Sequence, residues 1–349
     1  MEPLERAISF CTKAEISVKA LKKILKTADE YSSSEPTVIN ADLIRPVIVG
    51  NGGKFLLLNH LKAGDKVLNP FGREKIIFFG IDLDSHEIKA IAIAKKELCS
   101  SDTWNSLIQE IKIMKLSQGV EGIIQMDLAF FLGARVFIVL EYYNAGQLGE
   151  LLIALMFANL DLRLRLKLAL DIAIGLKNLH DLGILHRDIK PQNIFVYDKH
   201  EETPHAVLAD LGSACEMKDF KEMKKFTGSY AWFSPEIAKT IEPGETETKV
   251  LPGWLETMTD KADVWGLGCV FFLLFKGGSL SWQRVLASDG RGRQVAKNTA
   301  KLKEKKVIEE IKNSPLDPKL KLLITGMLQV NPEKRWSALE VYEFLSDLV

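Results

Sequence analysis

The chain has 349 residues, 47% apolar and 26% charged, enough for one large domain or two to three smaller ones with a core that needs no staples. Lys plus Arg and Asp plus Glu both number 46, so no overall field draws the chain to nucleic acid or an anionic membrane. The four cysteines, Cys11, Cys99, Cys215 and Cys269, lie far apart with no C-x-x-C pair, which argues against a zinc site or disulfide framework and for a reducing, cytoplasmic compartment.

The start, MEPLERAISF, lacks a basic stretch followed by an apolar run, so no secretory leader is expected. Residues 3–31 predict a helix, because Leu4, Ala7, Ile8, Cys11, Ile16, Leu21, Ile24 and Leu25 recur at roughly helical spacing. It reads as a helix docked on its domain, with a partner-binding or membrane-surface helix as the alternative. YSSSEPT reads as a linker, which makes residues 1–60 an extension. From 45 to 98, the runs PVIVG, KFLLLN, DKVLN, KIIFFGIDL and EIKAIAIAKKEL are separated by GNGG, KAGD, NPFG and DLDS. This pattern predicts sequential short strands of an antiparallel sheet. Residues 103–117 predict a helix with Trp104, Leu107, Ile108, Ile111 and Met114 on one face, and ARVFIVLEYYNAGQ a strand ending in a loop.

From about 147 onward helical patterns dominate. LDLRLRLKLALDIAIGLKNLHDLG alternates at its start, but it is rich in helix formers. Leu166, Ala169, Ala173, Leu176 and Leu179 keep the helical step, with Gly183 as a stop. The longest apolar run, VFFLLF, is too short to span a bilayer, so no transmembrane segment is expected. A strand-rich part followed by a helix-rich part is an α+β plan with two lobes and a cleft between them.

The stretch ILHRDIKPQN packs His186, Arg187, Asp188, Lys190 and Asn193 between apolar flanks, where charges are costly to bury without partners. Asp188 and Asn193 are five apart, and Asp210 follows 17 residues later in LADLG. Two carboxylates and an amide oxygen near one cleft suit a hard cation such as Mg²⁺, which also takes phosphate. Lys190 is placed to neutralise a phosphoryl group in transfer.

This stretch resembles the catalytic loop H-R-D-x-K-x-x-N of eukaryotic-type protein kinases, followed by their metal-binding D-x-G. Three more segments match in order. GSYAWFSPE resembles the end of an activation segment, with Ser234, Pro235 and Glu236 standing for Ala-Pro-Glu. DVWGLGC resembles the start of the large lobe's central helix. NPEKRWSALE would make Arg335 the partner of Glu236. The resemblance covers roughly residues 60–349 and implies a bilobal kinase domain over 61–349, with a small lobe to about 143 and a large lobe from about 144. It implies that Asp188 orients the substrate hydroxyl and accepts its proton, Asn193 and Asp210 hold Mg²⁺, and Lys190 steadies the γ-phosphate of ATP. His186 would brace the loop, and Arg187 would face the activation segment.

In the small lobe, IAKKEL resembles the strand-lysine motif and makes Lys96 the first choice, with Lys95 as the alternative; Glu110 would be its helix partner. VLEYYNAGQL resembles the hinge, with Leu140 as gatekeeper, Glu141 and Tyr143 offering backbone groups to adenine, and Gln147 at the ribose position. The glycine-rich loop departs from the family pattern. LKAGDKV and NPFGREK carry one glycine each, Gly64 or Gly72, which leaves fewer positions where backbone N–H groups close on phosphates. The segment between Glu236 and Asp263 is longer than the pattern and reads as an exposed loop, with 237–260 and the N-terminal helix as places for a partner. In the activation segment, Lys224 and Lys225 stand near the usual phosphothreonine, so Arg187 is expected to meet a carboxylate of Glu216, Asp219 or Glu222, without phosphorylation.

The resemblance implies a Ser/Thr protein kinase. Lys190 and Ser229 resemble the pair that distinguishes Ser/Thr from Tyr kinases. The rivals are a nucleotide-binding pseudokinase acting as a scaffold and a kinase for a small molecule.

Overall fold

The computed structural model describes residues 37–39, 47–50, 53–58, 75–94, 101–132, 135–143, 145–155, 161–197, 204–243, 248–284 and 291–349. The expected helix over 3–31, the run DKVLN, both glycine-loop candidates and Lys95 and Lys96 lie outside the described residues.

Seven strands form one antiparallel sheet: β1 (Thr37–Ile39), β2 (Val47–Gly50), β3 (Gly53–Leu58), β4 (Lys75–Asp82), β5 (Ile88–Ala94), β6 (Met126–Leu132) and β7 (Arg135–Glu141), in the order β1-β2-β3-β4-β5-β7-β6. From β1 to β5 sequential strands are neighbours. In the β4–β5 hairpin the Asp82 carboxylate accepts from the N–H groups of Asp84 and Ser85, and His86 takes the left-handed φ of 61° that closes the turn. The sheet includes β1, β2 and β3, which precede residue 60. β3 is locked to β4 by pairing Leu56 with Ile81, both fully buried. β6 was not read from the sequence; a bulge between Met126 and Leu128 breaks the alternation that marks a strand.

Helix α1 (Ser101–Leu116) buries Leu107, Ile111, Ile113 and Met114, while Ile108, expected on that face, is exposed. The buried stripe carries Glu110 in its place. Described residues up to Gln118, with Ile124–Tyr142, make one compact unit; Gly119–Ile123 and Tyr143–Val349 make a second.

The second unit is mostly helical. It runs through β8 (Gly146–Gln147), α2 (Leu148–Leu155), α3 (Leu162–Asp181), β9 (Ile184–Leu185), β10 (Ile194–Tyr197), β11 (His205–Leu208) and β12 (Cys215–Glu216). Then follow α4 (Phe220–Met223), α5 (Pro235–Lys239), β13 (Ile241–Pro243), β14 (Thr248–Val250), α6 (Trp254–Thr257) and α7 (Asp260–Lys276). The last helices are α8 (Arg291–Ala300), α9 (Glu304–Lys312), α10 (Pro318–Met327) and α11 (Ala338–Ser346). α3 is a helix despite its alternating start: Asp161 caps it, Leu168, Ala169, Ile172, Ala173, Leu176 and Leu179 are buried, and Gly183 follows it at φ 68°. α7 is buried almost all round, from Asp263 to Phe272 without a break, which makes it the axis of this unit's core.

The segment at 237–260 is exposed at Glu242, Lys249, Pro252 and Gly253, as expected, but it carries a hairpin and a short helix in place of a plain loop. β13 and β14 pair as a hairpin, and Ile241 and Trp254 are buried. The polar composition of its tip hid two apolar anchors at its base. Among the described residues, no helix is long and apolar enough to cross a membrane.

Candidate active site

The catalytic-loop stretch is held at both ends by apolar pairing. Ile184 and Leu185 pair with β12, and Ile194 opens β10, all three buried. Between them, Asp263 from the first turn of α7 fixes the backbone. Its carboxylate accepts the N–H groups of His186 and Arg187, each at 2.8 Å, and lies 3.0 Å from His180 Nε2. Burial pushes the Asp263 carboxyl up, but the hydrogen bond from His180 and the backbone donor of His186 outweigh it and leave its pKa below the usual Asp value. A depressed native pKa stabilises the fold above the unfolded Asp value near pH 4, and that contribution fades as pH falls through the native value. Asp263→Asn is therefore expected to lower the unfolding free energy at pH 7 by about 1.5–3 kcal/mol. The gap to wild type should narrow only below about pH 4, which urea melts at several pH values will check.

His186 is fully buried. Its Nε2 donates to the Ala209 carbonyl at 3.1 Å, which leaves Nδ1 to accept the Asp188 N–H at 3.3 Å. Arg187 has φ 65° and Asp210 φ 56°, both left-handed and both non-glycine, a strain the surrounding bonds must hold.

The polar side chains converge on Asp188. Its Oδ2 accepts from Lys190 Nζ at 2.6 Å and from Asn193 Nδ2 at 3.0 Å, and Lys190 also donates to Ser229 Oγ at 2.9 Å. Its Oδ1 is buried with no partner among the described residues. The β10–β11 hairpin brings in Asp210. The register pairs Ile194 with Leu208, so Asn193 faces Ala209 across a 2.8 Å backbone bond and Asp210 stands at the same end.

The Arg187 guanidinium does not bond a carboxylate among the described residues. Its Nε donates to the Ser213 carbonyl at 2.6 Å and its Nη1 to the Glu222 carbonyl at 2.8 Å. The three expected carboxylates serve other donors: Glu216 bonds Lys218, Glu222 bonds Lys225, and Asp219 caps α4. Burial pulls the Arg187 guanidinium below its usual pKa. Gly228 sits against this arginine at φ 97°, and a Cβ there would stand 2.6 Å from the Arg187 carbonyl. Gly228→Ala is expected to cost roughly 1–3 kcal/mol, read as a lower urea midpoint.

At the end of the activation segment, Arg335 meets Glu236 as expected, with Nη1 to Oε1 at 2.6 Å and Nη2 to Oε2 at 2.9 Å. In the first unit Glu110 is buried and paired with Lys75 of β4, a lysine that sequence reading did not single out. Leu140 is buried, and the Glu141 N–H donates to the Gln125 carbonyl at 3.2 Å. In the second unit, the Tyr143 carbonyl accepts from Gly146 N–H, and Gln147 is buried opposite Phe195.

The pattern of a protein kinase domain matches residues 72–344. The chain belongs to the protein kinase family. It is 29% identical over 278 residues, 78% of its length, to the serine/threonine-protein kinase cds1 of Schizosaccharomyces pombe. It is 24% identical over 271 residues, 72% of its length, to the sensor for unfolded proteins ire1 of the same organism. It is 24% identical over 259 residues, 73% of its length, to calcium-dependent protein kinase 17 of Arabidopsis thaliana. The chain spans 55%, 24% and 43% of those three proteins respectively.

Kinases need a divalent ion at the phosphates, and the donor set can be tested for it. The described residues contain no cluster of three or more His, Cys, Asp or Glu able to hold an ion alone. Mg²⁺ keeps several waters and takes phosphate oxygens beside one or two carboxylates. Asn193 spends its amide nitrogen on Asp188, which leaves its oxygen as a ligand atom, and the Asp210 side chain is exposed at the same end of the hairpin.

Proposed function

We propose that this kinase transfers the γ-phosphoryl group of ATP, with Mg²⁺, to Ser or Thr hydroxyls of protein substrates. The observation that carries the reading is the Asp188 carboxylate: one oxygen is fixed by Lys190 and Asn193, and the other is buried without a partner among the described residues. A buried orphan acceptor is costly unless something comes to meet it, and a substrate hydroxyl is the donor it lacks. Asp188 orients that hydroxyl and accepts its proton as the oxygen attacks phosphorus and the bond to the ADP oxygen breaks. Lys190, bonded to both Asp188 and Ser229, places positive charge beside the transferring group. Asn193 and Asp210 are the residues that would hold Mg²⁺, which when bound neutralises charge on the phosphates. The Lys190–Ser229 contact favours Ser/Thr substrates, and Glu110, paired with Lys75, is assigned to nucleotide binding.

The test is labelled ATP with Mg²⁺ and a generic basic protein, followed by phosphoamino-acid analysis. Phosphoserine and phosphothreonine are expected. Nucleotide binding without transfer to any hydroxyl, in the activated chain, would overturn the reading.

A further inference from the structure

The helical turn α4 in the activation segment is short, and of its last carbonyls that of Glu222 accepts the Lys225 N–H at 3.1 Å. Two consecutive ones are met from outside. Glu222 accepts from Arg187 at 2.8 Å, and Met223 accepts from the indole Nε1 of Trp254 at 2.9 Å. Trp254 belongs to α6, in the long segment between Glu236 and Asp263. Its ring lies 5.7 Å from Phe226, which in turn packs on Tyr230 and Phe233. Met223, Phe233, Ile237, Ile241, Trp254 and Met258 share one buried cluster, so the activation segment and the long segment have a core in common. On the other flank Ser213 and Thr227 share a hydroxyl–hydroxyl bond at 2.6 Å. Ser229, which contacts Lys190, comes six residues after Met223.

Activation loops of kinases are commonly ordered by a phosphate that pairs with an arginine. Here Arg187 is half-buried and its guanidinium already bonds two carbonyls. The apolar cluster and the indole N–H hold the next residue along. We infer that Trp254 is a positioning residue for phosphoryl transfer, and that the segment carrying it is a built-in strut doing the ordering that phosphorylation does elsewhere. This rests on the kinase reading above. The strut holds Met223 and Phe226 in place, and through them Ser229 against Lys190 and Asp188. The segment is thus part of the catalytic apparatus and not a tolerated insertion.

The test uses the full chain, dephosphorylated and checked by mass spectrometry. Dephosphorylated wild type is expected to be fully active. Trp254→Phe keeps an aromatic ring and loses the N–H donor together with the five-membered ring of the indole. It should lower kcat for a protein substrate about threefold to tenfold, the effect of one hydrogen bond, with the KM for ATP and the thermal midpoint near wild type. Trp254→Ala should lower kcat further. Trypsin should cut both variants after Lys221, Lys224 or Lys225, exposed in α4 and just beyond it, faster than wild type. Activity that appears only after phosphorylation of the segment would overturn the strut, as would variants with wild-type kcat and wild-type cleavage. If wild type transfers no phosphate in any state, the kinase reading fails while the cleavage rates still decide the strut. Unchanged cleavage sinks it, and faster cleavage in both variants supports it.

Discussion

Asp188→Ala is expected to lower kcat by ~10²–10⁴-fold, the usual contribution of a positioned acid or base. Nucleotide affinity and the thermal midpoint should stay close to wild type. The separation follows from the bonds that survive. Without the carboxylate, Lys190 keeps Ser229 Oγ at 2.9 Å, and Asn193 Nδ2 keeps the Asp188 main-chain carbonyl at 2.9 Å. Neither donor is orphaned, so the loss falls on chemistry and not on folding. Asp188→Asn should be nearly as inactive. Lys190 and Asn193 both donate, so the amide must turn its oxygen to them and its NH₂ to the side where Oδ1 has no partner among the described residues. A substrate hydroxyl then meets a donor where it needs an acceptor. Steady-state kinetics on both variants, with ATP-induced thermal shifts, decides the matter. A kcat within about threefold of wild type in Asp188→Ala would remove Asp188 from the proton's path, since even a modest base supplies more than that.

What the sequence made legible was local. Asp188, Lys190 and Asn193 lie within six residues, and the turn at 191–193 brings them together. The hairpin register adds Asp210 without any long-range guess. The strands with tight turns and the helices with clear caps came through for the same reason, because neighbours in sequence fixed them. What stayed hidden depended on distant competition. Lys75 reaches Glu110 across 35 positions, and nothing in either local pattern marks the pair. The charge of Arg187 suggested a carboxylate, but all three nearby had nearer donors, two lysines and a helix N-terminus. Trp254 sat beside an acidic, Gly- and Pro-containing stretch whose composition spoke for solvent, although the indole is buried. Residues 37–39 followed a Ser-rich run that read as a linker, yet they pair with β2 as the edge of the sheet.

Arg335→Met is expected to lower the unfolding free energy by roughly 3–5 kcal/mol, the range for one partner removed from a buried pair. The Arg335 side chain is wholly buried and Glu236 nearly so. The guanidinium binds both Glu236 oxygens, donates from Nε to the Gln329 carbonyl at 3.0 Å and from Nη1 to the Lys261 carbonyl at 2.7 Å, and lies over the Trp265 ring. Methionine fills part of the volume but leaves a carboxylate and two carbonyls short of donors. Arg335→Lys should fall between, since one ammonium cannot reproduce a planar fork. The double variant Arg335→Met with Glu236→Leu separates two roles. Replacing both charges by apolar groups often restores stability, because the desolvation penalty goes with them. Urea midpoints at constant m would show that recovery. Glu236 opens α5 directly after the activation segment, 99 residues before its partner in sequence. If the double variant regains stability but not kcat, the pair serves to register that segment against the rest of the unit. If both return together, the pair is a stability element, and Trp254 and Arg187 alone hold the segment. An Arg335→Met loss under about 1 kcal/mol would contradict both, since even an exposed pair is worth up to that much.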